Sequence, residues 1–132
     1  MNKSEPIRIA DAYPELARGP VPVEPYISED YFEKEREAIF KENWLNVCRL
    51  DDVPNPGDYV VKEIAVLRTS LLIVHGQDDT IRVFHNVCQH RGNHLMSDSK
   101  GCSKFFSCGF HGWVYDSSGG RKMREAVMRA GR

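Results

Sequence analysis

Cys88-Gln89-His90-Arg91-Gly92 and Cys108-Gly109-Phe110-His111-Gly112-Trp113 each hold one cysteine and one histidine, with a glycine close behind the histidine. Seventeen residues separate His90 from Cys108, so the pattern is C-x-H-x17-C-x-x-H. Two loops thus offer one thiolate and one imidazole apiece. Such donors suit zinc or an iron–sulfur centre, whereas magnesium and calcium take oxygen. Both stretches are turn-like, and they interrupt short apolar runs, where a rigid scaffold usually carries function.

Outward from this pair the texture is β-rich. Runs over 44–50, 59–67, 71–75, 81–86, 104–107 and 113–116 read as short strands. Val53-Pro54-Asn55-Pro56-Gly57-Asp58, Gly76-Gln77-Asp78-Asp79-Thr80 and Ser117-Ser118-Gly119-Gly120 punctuate them as turns, the middle one a hairpin connection. Many short strands with regular turns predict a mainly β domain, a small antiparallel barrel or sandwich. Five of the seven prolines fall in the first 27 residues, so 1–27 reads as an extended arm. Ser28 as N-cap with Glu29 and Asp30 behind it begins a helix over 28–43, with Tyr31, Phe32, Ala38, Ile39 and Phe40 as its packing face. The expected division is arm 1–27, N-terminal helix 28–43, β domain 44–120 and a basic tail 121–132.

The whole sequence has 132 residues, enough for a real core. Its 18 basic and 19 acidic residues nearly cancel, which points to neither nucleic acid nor an anionic membrane as partner. The polar start lacks the apolar stretch of a secretory signal, and no run is long and apolar enough to span a bilayer. A cytoplasmic protein is expected. There, four cysteines are more readily free thiols or ligands than disulfides.

The ligand pattern resembles that of the Rieske iron–sulfur proteins. The flanks Asn86-Val87-Cys88-Gln89-His90-Arg91-Gly92 and His111-Gly112-Trp113-Val114-Tyr115-Asp116 are similar to the α-subunits of aromatic-ring-hydroxylating oxygenases. So is the stretch from Tyr26 through Trp44-Leu45-Asn46-Val47 to Pro56-Gly57-Asp58-Tyr59. The resemblance implies a [2Fe–2S] cluster with Cys88 and Cys108 on one iron and His90 and His111 on the other. Glycine permits close backbone approach, so Gly92, Gly109 and Gly112 are expected to shape the loops, with N–H groups near them donating to the sulfurs. The resemblance also implies a Rieske fold with both cluster loops at one tip. It further implies a reductase or ferredoxin as electron donor, and an oxygenase catalytic domain or neighbouring subunit as acceptor. High-potential members have a loop-tying disulfide and a serine donor at positions that here are Asn93, Phe110 and Trp113. A potential near the bottom of the roughly −150 to +300 mV Rieske range is therefore expected.

The sequence ends at Arg132 without the family's catalytic domain, and only His75, His85 and His94 are uncommitted histidines. No catalytic residue is assigned, and hydroxylation by this chain alone is not expected. A severed α-subunit and a free-standing Rieske ferredoxin are the two electron-transfer readings, and a structural Cys2His2 zinc module is the redox-silent one. Among the remaining residues, Trp44 reads as core, Cys48 as a small buried residue in a strand and Cys102 as a loop residue. Leu95 and Trp113 read as a shield over the cluster.

Overall fold

The structure is a computed structural model and describes residues 20–122. The arm over 1–19 and the tail over 123–132 lie outside the described residues. Contacts divide the chain into two units, Met1–Glu35 and Arg36–Arg132.

In the first unit, α1 (Glu24–Ile27) and α2 (Glu29–Glu35) meet at Ser28. Ser28 does what an N-cap does: its hydroxyl accepts the Tyr31 N–H at 3.2 Å. Its own N–H closes α1 on the Glu24 carbonyl. Pro25 fits the first turn of α1, where its missing N–H has no intrahelical partner.

The second unit opens with a π-helical turn, Arg36–Phe40, rather than further α-helix. Of the expected packing face, Tyr31, Phe32 and Ile39 each remain more than a third exposed, whereas Phe40 is half-buried. Residues 44–50 form no strand. They find no ladder partner, and Val47 and Cys48 instead lay their side chains on a cluster of Val53, Val60 and Ile73. Trp44, expected in the core, is fully exposed at 103%.

The β framework is two antiparallel sheets. One has the order β3-β2-β1-β4, with β1 (Asp58–Ile64), β2 (Thr69–His75), β3 (Ile81–His85) and β4 (Lys100–Cys102). The other is β5 (Phe105–Ser107), β6 (Val114–Asp116) and β7 (Arg121–Lys122), in that order. β1 ends three residues before the expected limit, in a 3-10 turn over Ala65–Leu67 that Arg68 closes in the left-handed region at φ 51°. β2 is central and covered on both faces. Leu72 and Val74 enter one cluster with Tyr59 and Phe106, while Ile73 enters the other with Val53 and Val60. That alternation is the two-residue period of a strand.

Phe106 joins the sheets. Its ring meets Tyr59 of β1 edge-on with centroids 5.6 Å apart, and it is fully buried. Burial of such a side chain contributes about 1.5–3 kcal/mol. Cys102, expected in a loop, lies in β4 opposite Asp58 and is exposed. β4 approaches β1 so closely that a Cβ on Gly101 would stand 2.7 Å from the Tyr59 hydroxyl oxygen. Among the described residues no helix is long and apolar enough to cross a membrane.

Candidate metal centre

The Cys/His loops leave different sheets and share one backbone plan. In the first, the Cys88 N–H donates to the Asn93 carbonyl at 2.7 Å and the Gly92 N–H to the Cys88 carbonyl at 2.9 Å. In the second, the Cys108 N–H donates to the Trp113 carbonyl at 2.8 Å and the Gly112 N–H to the Cys108 carbonyl at 2.9 Å. The second is the hairpin loop of β5 and β6, where Ser107 pairs with Val114. Both loops turn through a glycine of positive φ, +73° at Gly92 and +70° at Gly112. Only glycine visits that region freely. Gly109 has no such φ and open space around it, so the shaping role expected of it is not required.

Cysteines and histidines part company in depth. Cys88 and Cys108 are 2% exposed and form one buried cluster with Tyr115, packed by Leu95 and Trp113 as their expected shielding requires. His90 and His111 are exposed, with ring centroids 4.7 Å apart. Thus the four expected ligand positions gather as two like pairs, sulfurs inside and imidazoles outside. Among the described residues, no three His, Cys, Asp or Glu side chains meet in a group that could hold a single ion.

Hydrogen bonds polarise the sulfur pair. The Tyr115 hydroxyl accepts the Gln89 N–H at 3.1 Å, which leaves its own hydrogen for Cys88 Sγ at 3.3 Å. Burial foremost, then the neighbouring Cys88, pushes the Tyr115 pKa up, so it stays a donor. At Cys108 the Phe110 N–H leads in lowering the thiol pKa. Burial opposes it, and the His111 N–H and the side chains of Cys88 and Asn93 add to the lowering. Asn93 Nδ2 stands 3.9 Å from Cys108 Sγ. The N–H groups of Gly92 and Gly112 themselves bond carbonyls, while the backbone donors to Cys108 Sγ are those of Phe110 and His111, beside Gly109 and Gly112, as expected of N–H groups near these glycines. A buried thiolate pair supplied with donors, beside an exposed imidazole pair, fits a two-metal sulfide centre better than one hard cation.

Asn86, 1% exposed, holds the first loop to the scaffold and was not singled out by its sequence. Its amide nitrogen donates to the Met96 carbonyl at 2.8 Å, and its carbonyl accepts the Met96 N–H at 2.9 Å. The same nitrogen reaches the Ser70 hydroxyl at 3.2 Å, and Ser70 in turn donates to Glu63 across β1 and β2. A polar residue at the end of an apolar strand, two before a ligand position, was the available signal. Of the uncommitted histidines, His85 ends β3 with Nδ1 3.0 Å from the Thr69 hydroxyl, and His94 is exposed. His75 is buried and bonded through both nitrogens, to the Val53 carbonyl at 2.8 Å and Asp79 at 2.7 Å.

Residues 43–129 match the family described as the Rieske [2Fe-2S] domain. The chain is 35% identical over 94 residues to the carnitine monooxygenase oxygenase subunit of Acinetobacter baumannii, covering 71% of this chain and 25% of that protein. It is 38% identical over 91 residues to the large oxygenase component of the naphthalene 1,2-dioxygenase system of Pseudomonas aeruginosa, covering 69% and 20%. Among solved structures, the apo form of a quaternary ammonium Rieske monooxygenase superposes with TM-score 0.76 at 28% identity, over 96% of this chain and 36% of that one. Naphthalene 1,2-dioxygenase with bound indole gives 0.68 at 36% identity, over 74% and 22%. The chain spans about a quarter of the length of the curated relatives it matches first.

Proposed function

Because this chain belongs to the Rieske [2Fe-2S] domain family, with a Rieske-type cluster as its cofactor, we propose that Cys88 and Cys108 hold the inner iron and His90 and His111 the outer. The cluster supplies one-electron transfer. The observation that carries the assignment is the sorting of donors by depth on two matched loops, sulfurs buried and imidazoles at the surface. The buried side keeps water from the sulfurs, through Leu95 and Trp113. The exposed side sets His90 and His111 where an electron crosses to or from a partner.

On this reading the domain is the electron-delivery part of an oxygenase α-subunit. The electron comes from a reductase or ferredoxin and goes toward a mononuclear iron in a catalytic domain or neighbouring subunit. The relatives named for naphthalene and for carnitine share this domain, so electron delivery is what the likeness carries, not a substrate class.

Chain purified anaerobically with iron supplied should contain about two irons and two acid-labile sulfides per molecule and become paramagnetic on one-electron reduction. Cys88→Ser and His111→Ala should each abolish the visible spectrum. Colourless protein containing zinc and no labile sulfide would replace this reading with the structural zinc module.

A further inference from the structure

A cation reaches the candidate centre from outside both ligand loops. Arg121 of β7 pairs with Tyr115 of β6, and its guanidinium carbon stands 4.4 Å from the centre of the Trp113 ring. That indole stacks on the His90 imidazole, centroids 4.7 Å apart and planes 11° from parallel. His90 belongs to one loop and Trp113 to the other. One stack therefore connects β7, the second loop and the first.

The strand carrying Arg121 is itself pinned. Asp116 accepts the N–H groups of Ser118 and Gly120 at 2.9 and 2.8 Å, and Lys122 pairs with it at 3.0 Å. Burial would raise the Asp116 pKa, but the Ser118 hydroxyl, Lys122 and these N–H groups hold it at about 2. The turn passes through Gly119 at φ +85°, where a Cβ would stand 2.8 Å from the Phe84 ring. Lys122 thus has its charge matched by Asp116, while Arg121 lies over an aromatic face.

We propose that Arg121 is a positioning residue of the metal centre, holding Trp113 flat on His90 and setting a fixed positive charge that favours the reduced state. The proposal rests on His90 being a ligand. A cation over an indole is attracted by the ring quadrupole, which fixes the ring plane, and the imidazole stacked on that ring is oriented with it. Two contacts of 4.4 and 4.7 Å separate the charge from the imidazole, inside a Debye length of about 10 Å at about 0.1 M ionic strength and well inside the longer one at lower salt. Reduction adds one electron from an external reductant and makes the centre more negative by one charge. A neighbouring arginine, charged in both states, stabilises the product more than the reactant.

The test is reductive titration of the full chain with dithionite and mediator dyes, comparing the wild type with Arg121→Gln and Arg121→Lys. Arg121→Gln should retain iron and labile sulfide and shift the reduction equilibrium about threefold toward the oxidised form, roughly 28 mV at 59 mV per tenfold for one electron. Arg121→Lys should recover at least half of that shift. If Arg121→Gln fails to fold, Arg121→Leu, which keeps an apolar stem over the indole, should show the same fall. A charge-deleted variant with full cluster and wild-type potential overturns the proposal, as does a lysine variant no better than glutamine. Wild-type protein without labile sulfide instead sinks the ligand assignment, so the two failures are separable.

Discussion

Tyr115 of β6 fastens the first ligand loop through one oxygen, accepting from Gln89 and donating toward Cys88. A hydrogen bond to a charged group is worth about 1.5–3 kcal/mol, but only the part that strengthens on reduction registers in a potential. Tyr115→Phe should therefore lower the midpoint by less than about one 59 mV decade, read by redox titration. A rise would contradict the donor direction assigned here. Asn93 and Phe110 are not cysteines, and Trp113 is not serine, so no covalent clamp or serine hydroxyl supports the centre at those positions. The midpoint should fall in the lower part of the roughly −150 to +300 mV Rieske range, and a value near the top would refute this. At this scale the candidate ligands were legible, because donor type and spacing are local properties. Arg121 was not: in sequence it merely opens a basic stretch, and its contact with Trp113 exists only after β6 and β7 pair.

The ligand loops are best understood as elements with one shared closure. Gly92 and Gly112 occupy equivalent turns of positive φ, and Gly109 does not. An L-residue in the left-handed region costs about 1–2 kcal/mol. Gly92→Ala and Gly112→Ala should each lose that much stability in urea unfolding of the loaded chain, whereas Gly109→Ala should stay within about 0.5 kcal/mol. Equal effects at all three positions would remove the distinction. Asn86 fastens the first loop from the scaffold side. Asn86→Ala strips the partners from both backbone groups of Met96, at about 1–3 kcal/mol per unsatisfied buried group. Unfolding midpoint and the rate of colour loss should both register it. β4 was invisible beforehand, since Lys100-Gly101-Cys102 has no apolar alternation. It is a strand only because Tyr59 and its neighbours in β1 offer a free edge and Gly101 lets the backbones approach. Residues 44–50, apolar enough to look like a strand, lack that edge and pack by side chains alone.

Across the whole molecule, His75 links the end of β2, the turn before β1 and the β2–β3 hairpin. Its imidazole must donate from both nitrogens to satisfy the Val53 carbonyl and Asp79, and those two partners, with Asp58 adding, raise its pKa above 6.5. The folded chain thus holds this proton more tightly than the unfolded one. The resulting stability is complete below pH 6.5 and is lost as pH climbs through the raised value. Urea midpoints of wild type and His75→Gln should accordingly converge from pH 5.5 toward pH 9, while a gap independent of pH would count against the clasp. By itself the sequence determined the donor types and spacing of the two loops, the three long apolar strands and the turns between them. Each of these follows from chemistry or periodicity within about ten residues. Tertiary structure alone decided that β4 and β7 exist, that Trp44 is exposed, that Asn86 is buried and that Arg121 lies over Trp113. The physical reason is that each depends on what the folded chain sets beside it: β4 exists because the distant β1 offers an edge, and β7 pairs with its neighbour β6 through two residues too short and too polar to show a strand period.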